Sequence, residues 1–279
     1  IFQYFFPNKP EVKTQINNDV IENSENTIQN KILDRKDVVA DDNRVFISKE
    51  SRLKGSISLR GARFDDVILK DYNDSLSEKS ELVTIFSPRE TSSPYFAEFG
   101  WVAKNNNVDV PISDTLWKIK NGKELDVNNS ITLEWISPDG FIFTRTISVD
   151  ENYMFAIEQK VKNNSKKTQT FIPYGRINRS GTPKTSGFYI LHEGPIAVLN
   201  ERLIEIDYDD LLDEKNTRNI SNGGWLGITD KYWLAAIIPD QKSTIEAGFK
   251  ATANNGVRYQ AEYNSSSLEV KPNQEVAIK

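Results

Sequence analysis

Gly223-Gly224-Trp225-Leu226-Gly227-Ile228-Thr229-Asp230-Lys231-Tyr232-Trp233-Leu234-Ala235-Ala236-Ile237-Ile238-Pro239 is the longest apolar run in an otherwise polar chain. A Gly-Gly pair that accepts positive φ or a close backbone neighbour opens it, and Pro239, which donates nothing to a ladder, closes it. The run predicts two buried strands, with Asp230-Lys231 as the turn and residues 232–238 as the return. Trp225, Gly227 and Thr229 then share one face, and Leu226 and Ile228 the other. Both faces are apolar, which predicts cover on both sides, as in the middle of a sandwich. So short a run also admits one buried helix over residues 231–238.

Strand patterning continues on both sides of this run. Upstream, Leu53, Gly55, Ile57 and Leu59 alternate with polar residues, and further strands are expected at 67–69, 82–86 and 95–102. Asn121-Gly122 is a two-residue hairpin signal that predicts pairing of 115–120 with 124–127. Ile131, Leu133 and Trp135 share a face, Pro138-Asp139-Gly140 supplies a turn, and Phe141, Phe143, Ile147 and Val149 share a face on the return. Strands at 153–161 and 168–178 follow, then an exposed loop over 178–187. Strands at 188–191, 196–199 and 203–206 lead to a short helix over 207–214. Beyond Pro239, strands at 245–252 and 257–263 join across Asn254-Asn255-Gly256, and the sequence stops in mid-strand at Lys279. About sixteen to eighteen short strands with few short helices exceed an immunoglobulin-type module and predict an all-β fold, a large two-sheet antiparallel sandwich.

Composition narrows the chemistry. The 279 residues carry 35 Lys and Arg against 40 Asp and Glu, intermixed and without a basic face, so nucleic acid is not an expected partner. Zero cysteines exclude disulfides and thiolate sites, and a single histidine excludes histidine metal clusters and His-Asp triads within the chain. His192 ends a strand before Glu193-Gly194-Pro195 and reads as an ordinary turn residue. Asp65-Asp66, Asp209-Asp210 and Asp213-Glu214 read as solvated surface charge, because adjacent residues on a strand point to opposite faces. No calcium, phosphate-loop or nucleophile-elbow motif is present, so no catalytic or metal-binding residue and no cofactor is assigned.

Two stretches carry a family resemblance. The 223–239 run and Leu53-Lys54-Gly55-Ser56-Ile57-Ser58-Leu59-Arg60-Gly61-Ala62-Arg63-Phe64-Asp65-Asp66, with Ser137-Pro138-Asp139-Gly140 between them, resemble the large periplasmic domain of the YidC family of bacterial inner-membrane protein insertases, in its alphaproteobacterial form. The resemblance covers residues 43–279 and implies a β-supersandwich of galactose-mutarotase-like architecture. It also implies three regions: residues 1–7 as the end of an N-terminal membrane anchor, 8–42 as a flexible polar tether, and 43–279 as the periplasmic sandwich, C-terminally truncated. The implied function is assistance to membrane-protein insertion, by contact and not as an enzyme. The implied partners are the Sec translocon with its accessory subunits, nascent inner-membrane proteins, and the membrane itself through an N-terminal helix and a C-terminal transmembrane region outside this sequence. The fold alone also suggests a carbohydrate-binding or epimerase-like sandwich, but mutarotase-type chemistry needs histidines that one His192 cannot supply.

Overall fold

The structure, a computed structural model, describes residues 32–279 apart from 78, 106–107, 186–190 and 254–255. The expected membrane exit, the tether as far as residue 31, most of the expected strand at 188–191 and the tip of the 254–256 turn lie outside these residues.

One helical turn, α1 (Arg35–Val38), precedes β1 (Arg44–Phe46), β2 (Leu53–Ser58), β3 (Arg63–Asn73), β4 (Leu82–Phe86) and β5 (Tyr95–Ala103). The middle of the chain forms β6 (Lys118–Asn121), β7 (Ile131–Ile136), β8 (Phe141–Val149), β9 (Phe155–Asn163) and β10 (Gln169–Ser180). Then come β11 (Gly194–Leu199), β12 (Arg202–Glu205), α2 (Tyr208–Glu214), β13 (Asn219–Asn222), β14 (Trp225–Thr229) and β15 (Leu234–Ile237). The chain closes with β16 (Thr244–Thr252), β17 (Arg258–Ser265), β18 (Leu268–Val270) and β19 (Glu275–Ile278).

These strands form three antiparallel sheets. A ten-stranded sheet runs β1-β2-β3-β5-β10-β17-β16-β13, with β18 beside β10 and β4 beside β3. A five-stranded sheet runs β19-β9-β8-β7-β6, and a four-stranded sheet runs β12-β11-β14-β15. Both smaller sheets pack on the large one. Under the five-stranded sheet, Trp101 of β5 and Phe171 of β10 meet Phe143 of β8 at ring-centroid distances of 6.4 and 5.6 Å. Under the four-stranded sheet, the Tyr95 hydroxyl at the start of β5 donates to the Ile228 carbonyl at 3.3 Å. The expected two-layer antiparallel arrangement is therefore present, with one layer divided into two sheets over a continuous core.

The β7–β8 hairpin forms as the alternation predicts, from Ile131↔Ile147 to Ile136↔Ile142. Its turn closes with the Gly140 N–H donating to Ser137 O at 3.1 Å, and Gly140 sits at φ 88°, where a side chain would be strained. The Asn121-Gly122 hairpin does not form. β6 pairs with β7 instead, Ile119 opposite Leu133. The intervening segment turns on Asp126, whose carboxylate accepts from the N–H groups of Asn128 and Asn129 at 2.7 and 2.9 Å. Leu125 is completely buried and forms backbone bonds with Phe46 and Ser48, so burial of one leucine outweighs the local turn preference.

The 223–239 run forms the β14–β15 hairpin, Leu226 opposite Ile237 and Thr229 opposite Leu234, which overturns the helical alternative. Its turn is longer than expected and spans Asp230 to Trp233, closed by Asp230 N–H to Trp233 O at 2.8 Å. The expected cover on both faces is also corrected. Leu226, Ile228, Ala235 and Ile237 are buried, but Leu234, Ala236 and Ile238 on the opposite side are exposed.

Candidate interaction surface

His192 is half-buried, its Nε2 3.0 Å from the Pro195 carbonyl and its Nδ1 3.6 Å from Asp207 Oδ1, a turn-stabilising position. Asp209, Asp210, Asp213 and Glu214 are exposed on α2, as expected. Asp65 and Asp66 are not solvated: they are 1% and 3% exposed. The reason is a bulge. Ser56 faces Asp66 and Ile57 faces Phe64, so Asp65 is an extra residue in β3 and strict alternation fails there. Both carboxylates join one network in which Arg44 pairs with Asp65, Arg35 pairs with Asp66, and the Ser56 hydroxyl accepts from Arg44 and donates to Asp66, each at 2.7 Å. Burial pushes the Asp65 carboxyl above its usual range, against the pull of Arg44 and Arg63. Each acid is committed to its own arginine, which leaves no convergent pair for acid/base work.

A second charged group is buried on the face of the ten-stranded sheet opposite the shared core, where Glu98 and Arg176 alternate with the core residues Ala97 and Ile177. Arg176 Nε donates to Glu98 Oε1 at 2.5 Å, and Asn178 Nδ2 donates to the same oxygen at 3.3 Å. Burial alone would raise the Glu98 carboxyl, but Arg176, Arg63 and Arg89 together hold it below its ordinary range. Arg145 crosses from β8, donating to the Ala62 carbonyl at 2.9 Å and to Gln159 Oε1 at 3.0 Å, with its guanidinium 5.0 Å from the Trp117 ring centre. Burial lowers Arg145 to about 10. Trp117, Tyr174, Glu98 and Arg145 line a crevice at this point that holds no space the size of a water molecule. It is a packed seam, unsuited to a sugar.

The four-stranded sheet presents the other feature. Leu203 faces Val198, Val198 faces Trp225, and Ile238 follows Ile237 on the neighbouring strand. This row crosses all four strands on the outer side, and beside it run Ile196, Gly227 and Ala236. Leu203 is 60% exposed, Ile238 52% and Leu234 48%, while Val198, Trp225 and Ile196 are half-buried. Tyr232 extends the surface at the hairpin tip, where Trp233 packs on Tyr72 at 4.8 Å. Such a face departs from the polar side that a one-sided antiparallel sheet presents to water. No binding residue was assigned from sequence, yet the signal lay in the two apolar faces of Trp225 to Thr229.

Comparison with known proteins identifies the fold's lineage. A family model described as the YidC periplasmic domain matches residues 48–279, including both stretches that carried the resemblance. The chain belongs to the YidC periplasmic domain family. Relatives of this YidC-type domain include the membrane protein insertase YidC of Rickettsia prowazekii (strain Madrid E), 41% identical over 288 residues that cover 100% of this chain and 51% of that protein. The membrane protein insertase YidC of Sinorhizobium medicae (strain WSM419) is 41% identical over 229 residues, covering 81% of this chain and 38% of that protein. The chain thus spans about half the length, or less, of these relatives. A solved galactose mutarotase-like protein from Lactobacillus casei is similar at 9% identity and a TM-score of 0.45, over 84% of this chain and 97% of its own. Among the described residues of this YidC periplasmic domain, no helix is long and apolar enough to cross a membrane.

Proposed function

We propose that this chain is the periplasmic domain of an inner-membrane insertase that helps membrane proteins insert and fold, alone or beside the Sec translocon. The domain works by contact with translocon subunits or emerging chains, not by catalysis. The observation that carries this reading is the apolar outer face of the four-stranded sheet. A solvated sheet needs no Leu203-Val198-Trp225-Ile238 row.

The test is photocrosslinking in cells from probes at Val198, Leu203, Trp225 and Ile238 of the full-length protein. Crosslinks to Sec subunits or nascent membrane proteins are expected, absent from control probes at Thr144 and Lys160 on the five-stranded sheet. Silence at all sites, with insertion intact after deletion of residues 43–279, would make the domain a spacer.

A further inference from the structure

The apolar face has an electrostatic border. Residues 200–214 hold seven carboxylates against one cation, Arg202, a net of −6 in a chain whose total is −5. All seven are exposed. Apart from the approach of His192 to Asp207, no ion pair among the described residues neutralises them. Their placement follows from the fold. Glu205 stands opposite Ile196 in an outer row, Glu201 lies at the β11–β12 turn, and α2 continues from the end of β12 with Tyr208 and Leu211 buried, so its acids point away from the core. Glu201 and Glu205 thus lie on the β12 edge of the apolar sheet, and the remaining acids follow directly in the chain on α2, which packs through Tyr208 on Tyr259 of the large sheet.

Apolar surface and uncompensated negative charge side by side select a partner. We infer that the outer face of the four-stranded sheet receives a protein segment in which an apolar run is flanked by lysine or arginine, the run lying across Val198, Trp225 and Ile238 and the cations over Glu201, Glu205 and α2. Burial of the Leu203 row supplies the attraction, and charge complementarity sets partner choice and direction. The same border repels an anionic lipid surface, which argues against the bilayer as the occupant. This inference rests on reading the face as a contact site and adds the chemistry of what docks there.

The test uses the 279-residue chain and two fluorescent peptides, one with a leucine-alanine run between lysine pairs and one with the same run between glutamate pairs. The lysine-flanked peptide is expected to bind about tenfold more tightly at low salt, with the preference gone at about 0.5 M. The double variant Leu203→Glu/Ile238→Glu should lose binding while its urea midpoint holds. Reversal of Glu201, Glu205, Asp209 and Asp210 to lysine should transfer the preference to the glutamate-flanked peptide. Equal affinity of the two peptides, or binding that survives the double variant, overturns the inference. Retention on phosphatidylglycerol vesicles without peptide binding overturns it in favour of lipid. Neither failure touches the crosslinking result, which reads contact with any partner.

Discussion

The two smaller sheets rest on the same ten-stranded floor but differ on the side turned away from it. In the five-stranded sheet, buried and half-buried residues alternate without exception along β8, and its outer face holds Glu134, Thr144 and Lys160 in register, with one apolar pair, Ile136 opposite Ile142, at the turn end of the β7–β8 hairpin. In the four-stranded sheet, the corresponding outer row holds Leu203, Val198, Trp225 and Ile238. Folding explains the inner faces of both. It explains the outer face of the first apart from the Ile136–Ile142 pair, but not an apolar row across a whole sheet, since antiparallel sheets with one packed side present polar residues to water. The difference separates residues retained for stability from residues available for contact.

Removing the core side of either sheet should have the largest effect. Phe143→Ala deletes a fully buried ring packed on Trp101, Trp135 and Phe171, and should cost about 4 kcal/mol in urea unfolding. Leu226→Ala does the same under the four-stranded sheet and should cost about 3 kcal/mol. Near-zero loss for Leu226→Ala would mean that the four-stranded sheet is not anchored as its burial indicates.

Next comes the buried Glu98–Arg176 pair, on the strand that floors both sheets but on its opposite face. A carboxyl held below its unfolded range contributes stability above the unfolded value of about 4.3, and loses it as pH falls through the folded one. Glu98→Gln should therefore cost about 3 kcal/mol at pH 7 and flatten the acid limb of a stability-versus-pH curve. An unchanged limb would show that other carboxylates dominate acid unfolding.

Smaller still, Gly140→Ala should cost about 1 kcal/mol, because φ 88° strains any side chain. Leu203→Glu should change the free energy of urea unfolding by no more than about 0.5 kcal/mol, as for an exposed position. A large loss there would erase the contrast between the two outer faces.

The sequence made the local alternation legible. The β7–β8 hairpin follows from side-chain period and turn chemistry, and the β14–β15 pairing from the apolar run, though not its longer turn. What it concealed depends on distant neighbours. Asn121-Gly122 has the chemistry of a two-residue hairpin, but Leu125 has a better place in the core than in that hairpin. Asp65-Asp66 resembles surface charge until a bulge and the distant Arg35 and Arg44 are brought together. The outer row of the four-stranded sheet was half visible, since periodicity reveals that both faces are apolar but not which one the fold covers.

The bulge at Asp65 also bears on how the first strands find their alignment. Apolar alternation by itself tolerates a slide of two residues, which restores the same faces. The Arg44–Ser56–Asp66 chain does not, because such a slide would separate Arg44 from Asp65 and leave the Arg44 guanidinium buried without its counter-charge. Electrostatics thus acts as a keyed lock on the opening meander, admitting one alignment where hydrophobicity alone would accept several.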